Sequence, residues 1–155
     1  MPRVSTSEVI NRTCGEVFDL IHDYGRRLEW DTLLRKAQLL HGAEKAAKGV
    51  RSLCVGKWVV GGIALETEYV SYERGKVAAV KMTNHPLFFG TFTATLRHES
   101  LNDSQSKVTY IYNFRAKPKW MAWLFEPIMN YLLLKEIKSR LKALKNFMEK
   151  GRENE

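Results

Sequence analysis

A chain of 155 residues, 45% hydrophobic and 27% charged, is long enough for one domain with a full core. Its composition excludes disordered and fibrous proteins. The formal net charge of +8, with a pI near 9.6, suits solubility first and an anionic partner second. Residues 119–155 hold eight Lys or Arg against five Glu, so the excess is spread and forms no polybasic tail. No groove-binding motif accompanies the charge, so nucleic acid is not an expected partner, whereas peripheral contact with an anionic membrane is a reading that the charge permits.

Cys14 and Cys54 have no CxxC spacing, and His22, His41, His85 and His98 are scattered. This predicts free, buried thiols in a reducing cytoplasmic compartment, and no metal site. No GxGxxG, P-loop, GxSxG or HExxH is present, so no cofactor is expected. Met1-Pro2-Arg3 leads straight into a polar strand, which predicts no secretory leader. The longest nearly apolar run, Met121 to Leu134, contains Glu126, Pro127 and Asn130 and falls short of the ~20 residues that span a bilayer.

In chain order, Val4 to Ile10 reads as a strand. Thr13 and Glu16 have capping-box spacing, and Val17, Leu20, Ile21 and Tyr24 then form one apolar helical face. Gly25 interrupts it, and Arg26 to Trp30 reads as a second short helix. Strands follow at Leu33–Leu40, Gly49–Val60, Ile63–Glu73, Val77–Thr83, Phe88–Ser100 and Lys107–Ala116. They are joined by short turns, with Gly61-Gly62 as a hairpin signal. After Pro118 a long helix begins near Lys119. Ile137, Leu141, Leu144 and Met148 form its buried stripe, and Lys135, Lys138, Lys142 and Lys145 its solvated face. Pro127 predicts a kink or a break. The last residues, 151–155, are expected to fray. The prediction is a single α+β domain over 1–155: a curved antiparallel sheet of about seven strands, two short helices after the first strand, and a long C-terminal helix over the sheet.

Alternation gives each strand an inward face. Leu65, Thr67 and Tyr69 point in on one strand, Ala78, Val80 and Met82 on the next. Phe92, Ala94 and Leu96 do so on the third, with His98 in phase, and Tyr110, Tyr112 and Phe114 on the last. A bulge would reverse part of this list. On the helix, the stripe extends back through Leu133, Met129 or Asn130, and Glu126. A buried Glu126 needs a partner or a raised pKa, and Arg115 is the candidate.

The order strand, two short helices, six strands, long helix resembles the helix-grip fold of the START / Bet v 1-like superfamily. The chain is most similar to bacterial polyketide cyclase/dehydrase-type and coenzyme-Q-binding members. Glu16 to Tyr24 followed by Trp30, the strand opening Gly49-Val50-Arg51, and the strand Glu68 to Glu73 carry the resemblance. Thr32 stands where a Pro commonly follows the Trp. The resemblance implies a cavity between sheet and terminal helix for a hydrophobic or aromatic small molecule, such as a lipid, quinone or polyketide. The expected lining is Trp30, Trp58, Tyr69, Val80, Met82, Phe92, Leu96, Tyr110, Tyr112 and Phe114, with Glu126, Met129 and Leu133 from the helix. No residue is assigned a catalytic role. The alternatives are a polyketide aromatase/cyclase or dehydratase, using a Tyr with Arg115 or Glu126, and a peripheral membrane or protein-partner adaptor that uses Trp120 to Phe125 as its contact.

Overall fold

A computed structural model describes residues 3–57, 62–86 and 89–153. The elements are β1 (Arg3–Ile10), α1 (Cys14–Ile21), α2 (Arg27–Trp30), β2 (Leu34–Leu39), β3 (Arg51–Gly56), β4 (Ala64–Glu73), β5 (Val77–Met82), β6 (Phe89–Asn102), β7 (Gln105–Ala116) and α3 (Lys119–Glu153). The strands form one curled antiparallel sheet in the order β1-β7-β6-β5-β4-β3-β2. β1 thus pairs with the last strand rather than with β2. The helical pair between β1 and β2 carries the chain across to the far edge. This is the α+β helix-grip architecture expected from the sequence.

Local chemistry accounts for the element ends. Thr13 Oγ1 accepts from the Glu16 N–H at 3.3 Å while Glu16 Oε1 accepts from the Thr13 N–H at 3.4 Å, which closes the capping box of α1. Gly90 is where β6 and β7 approach closely: a Cβ there would lie 3.1 Å from the Arg115 carbonyl oxygen. A bulge in β4 between Tyr69 and Ser71 adds one residue to the strand. Alternation therefore restarts, and Tyr72 turns inward to meet Phe18, ring centroids 5.1 Å apart. Cys14 and Cys54 are free thiols, but each is half-buried rather than sealed in the core.

α3 packs on β1 and β7. Its Leu141, Leu144 and Met148 join Ile10, Val17, Leu20, Ile21, Trp30 and Val108 in one buried cluster. Burying each such aliphatic side chain contributes about 1.5–3 kcal/mol, so this end of the helix anchors the fold. A second cluster holds Met82, Phe89, Phe92, Tyr112, Phe114 and Ile137. The expected break at Pro127 does not occur: α3 is helical from Lys119 through Glu153 with Pro127 inside it. Proline removes one i→i−4 bond, and tertiary contacts on both sides of it carry the helix through. The strand predicted at Gly49–Val60 is shorter, Arg51–Gly56. The end of that reading, from Trp58 to Val60, lies outside the described residues, as does Gly61 of the expected hairpin.

Candidate ligand cavity

A cavity of about 260 Å³ lies between the sheet and α3. Its floor comes from β4, β5, β6 and β7 through Leu65, Thr67, Tyr69, Ala78, Val80, Phe92, Ala94, Leu96 and Tyr110. Its roof is one side of α3: Met129, Leu132, Leu133, Glu136, Ile137 and Arg140. Ile21, His22, Tyr24 and Arg27, from and around α1 and α2, form one wall.

Of the residues selected from sequence, Tyr69, Val80, Phe92, Leu96, Tyr110, Met129 and Leu133 meet around this space. Others sit elsewhere. Trp30 is only 3% exposed and packs with Leu141 and Leu144, because the single turn of α2 aims it at the anchoring end of α3. Met82, Tyr112 and Phe114 point inward as alternation requires, but into the solid second cluster. There Tyr112 Oη donates to the Asn130 carbonyl at 3.1 Å, and its pKa is pushed up to about 12 by burial and by Tyr110. Glu126 does not reach the cavity. Its Oε1 accepts from the Ala116 N–H at 3.1 Å, so it ties the first turns of α3 to the end of β7. Arg115 is exposed and, among the described residues, forms no ion pair with Glu126. Neither Arg115 nor Glu126 borders the cavity, so neither stands there beside a tyrosine as the cyclase alternative expected. His98 packs edge-on against Phe18 at 5.3 Å and does not line the cavity. Trp58 lies outside the described residues.

The polar end of the cavity is absent from the expected set. His22 is 7% exposed. Its Nδ1 lies 2.7 Å from Tyr69 Oη, which in turn lies 3.1 Å from Tyr24 Oη. Burial, with the charges of Arg27 and His98, lowers the His22 pKa to about 3, so the imidazole is neutral at neutral pH. Burial likewise raises Tyr24 and Tyr69 above the usual phenol range. His22 Nε2 is buried and has no partner among the described residues.

Beside it stands a buried charge cluster. Arg27 Nε donates to Asp31 Oδ2 at 3.0 Å and Arg27 Nη1 to the Ile21 carbonyl at 3.2 Å. Arg140 Nε lies 3.1 Å from the same Asp31 oxygen, near enough to pair but not aligned for a hydrogen bond. Asp31 Oδ1 accepts from the Leu33 N–H at 3.2 Å. Burial opposes ionisation of Asp31, yet Arg140 and Arg27 together hold its carboxyl below the ordinary range. Arg27 also stacks over Trp30 at 5.0 Å and Tyr24 at 5.7 Å. A sequence signal for the pair existed: Arg27 and Asp31 are four apart around a helical turn.

On the outer side of the roof, the first half of α3 is apolar and uncovered. Trp120 is 75% and Trp123 76% exposed, with Leu124, Ile128, Tyr131 and Leu132 also exposed. Lys117 and Lys119 stand at its start. Among the described residues, no helix is long and apolar enough to cross a membrane, and no cluster of His, Cys, Asp or Glu is arranged to hold a metal ion.

Comparison with known proteins gives this geometry a context. The chain matches, over residues 1–149, the family described as polyketide cyclase / dehydrase and lipid transport. Among solved structures it is similar to the Zhui aromatase/cyclase from Streptomyces sp. R1128, with a TM-score of 0.76 and 12% identity, covering 96% of this chain and 93% of that one. A START superfamily protein from Mycobacterium smegmatis is equally similar: TM-score 0.76, 11% identity, coverage 96% and 97%. The di-domain ARO/CYC BexL of the BE-7585A biosynthetic pathway gives a TM-score of 0.73 at 13% identity. This chain is covered over 94% but spans 46% of that one. At such identities these structures share the fold alone. No curated protein matches the chain. The family match over nearly the whole length, on a helix-grip frame, means that this chain belongs to the polyketide cyclase / dehydrase and lipid transport family.

Proposed function

We propose that the chain binds a small hydrophobic or aromatic molecule, of lipid, quinone or polyketide type, between sheet and α3. The observation that carries this is a space of about 260 Å³ walled on opposite sides by apolar side chains of the sheet and of one helix. A well-packed interior of this size holds few voids larger than a water, so an apolar space of this volume points to an occupant. At ~30 Å³ per water the space equals about nine waters. It thus suits a ligand of about ten non-hydrogen atoms, or the buried end of a longer one. Apolar burial supplies affinity, and the polar lining residues His22, Tyr24 and Tyr69 orient the ligand. Native mass spectrometry of protein purified from its host is expected to reveal a co-purifying hydrophobe. A ligand-free mass, together with no rise in unfolding temperature on adding 1-octanol, would overturn the reading.

A second reading, contact with an anionic membrane, is favoured by the bare face of α3. Trp120, Trp123 and Tyr131 are interfacial residue types with basic side chains beside them. Leu132 belongs both to this face and to the cavity wall, so a bound bilayer would lie next to the ligand's entrance. The protein is expected to co-sediment with vesicles containing anionic phospholipid at low salt. The Trp120→Ser, Trp123→Ser double variant should lose at least about tenfold in partitioning. A wild-type chain that stays in the supernatant disposes of this reading.

A further inference from the structure

We infer that the ligand of this cavity ends in a carboxylate, seated against Arg140 and Arg27; this rests on the cavity reading above. Arg27 and Arg140 both line the cavity, whereas Asp31, the carboxylate they share, does not. The side chains are deeply placed: Arg27 is 10%, Asp31 0% and Arg140 19% exposed. Two buried guanidinium groups share one buried carboxylate, which leaves a positive charge among these three side chains. Such a charge is costly to bury unless an anion meets it.

Asp31 carries one charge against their two. Oδ2 is divided between the two guanidinium groups, and Oδ1 is taken by the Leu33 amide. Arg140 borders the cavity, and its guanidinium fork has Nε buried without a hydrogen bond among the described residues. A planar carboxylate is the partner this fork fits in two parallel bonds. Glu136 is the single acid in the cavity lining among the described residues. It stands one turn before Arg140 and lies within ion-pair distance of neither guanidinium. Burial raises its pKa, partly offset by Arg140. The remaining polar neighbours, His22 Nε2 and the Tyr24 hydroxyl, are hydrogen-bonding groups beside the same end. The rest of the lining is mostly apolar. The site therefore selects an amphiphile: one acidic end, and a body of about ten non-hydrogen atoms.

The test is calorimetric titration of the full chain with octanoate and with 1-octanol at neutral pH. Octanoate should bind at least about tenfold more tightly. Arg140→Gln should bring the ratio of the two affinities close to one. Glu136→Gln keeps Asp31 and both arginines in place, and it should raise the ratio at least about threefold by removing a like charge. This second variant decides the matter if Arg140→Gln folds poorly. Equal affinities of the wild-type chain for acid and alcohol, or a Glu136→Gln ratio that does not rise, would overturn the carboxylate assignment while leaving the cavity reading intact. Binding of neither compound would reject the cavity reading and this inference with it.

Discussion

Replacing Asp31 with alanine is expected to lower stability by about 3–5 kcal/mol, the usual cost of removing one partner from a buried ion pair. For a domain of this length that corresponds to a fall of about 6–20 °C in unfolding temperature, readable by circular dichroism. The cost has named sources. Arg27 and Arg140 lose the oxygen they share at 3.0 and 3.1 Å, and the Leu33 amide loses its acceptor. Acid should reproduce the effect in the wild-type chain. Asp31 has a folded pKa below its unfolded value near ~3.9. Its contribution is therefore complete above that value and fades as pH falls through the depressed one. The alanine variant should lack this acid limb. A shift under about 2 °C, or an unchanged acid profile, would mean that water replaces the carboxylate without loss. By contrast, replacing all three charges with apolar residues of similar size is expected to be tolerated far better than the single change.

Ala94→Phe is expected to abolish binding of a small hydrophobe, with at least about a tenfold loss of affinity for 1-octanol and the unfolding temperature unchanged or raised. Ala94 is 4% exposed and lies on the cavity floor with Phe92 and Leu96 as its inward neighbours along β6. In a filled core such a substitution overpacks and costs about 1–3 kcal/mol. Here the ring enters space that already exists, so the usual penalty has no neighbour to act on. Loss of stability by that amount would mean that the region is solid. Undiminished binding would place the ligand elsewhere.

Period-two alternation puts Leu65, Thr67, Tyr69, Ala78, Val80, Phe92, Ala94 and Leu96 on the sheet's concave face, and all eight border the cavity. Alternation carries no information on how far the helix descends onto that face. Tyr110 borders the void and Tyr112, two residues along the same strand, is sealed in the core. The difference is set by α3, whose roof turns meet Tyr112 at Asn130. The polar end was legible only in the spacing of Arg27 and Asp31, for another reason. Arg27 and Asp31 stand in and beside a short helix whose direction depends on packing. Arg140, flanked by the lysines of the solvated face, reads as one more surface cation. Only the fold brings it within 3.1 Å of Asp31. Glu126 stands out in the sequence as an anomaly in an apolar run, but its solution, a strand-end amide, is a backbone group that no side-chain pattern announces.

The continuous course of α3 from its anchoring cluster to the cavity roof makes the helix a lever. From Leu144 in the anchoring cluster to Met129 over the cavity is about fifteen residues, about 22 Å at ~1.5 Å each. A tilt of about 5° at the anchor displaces the roof by about 2 Å, resisted by the two hydrogen bonds that tie it to β7. The headroom above a bound molecule is thus set partly by side chains that never touch it, and resizing Leu141, Leu144 or Met148 is a route to retuning which molecules fit.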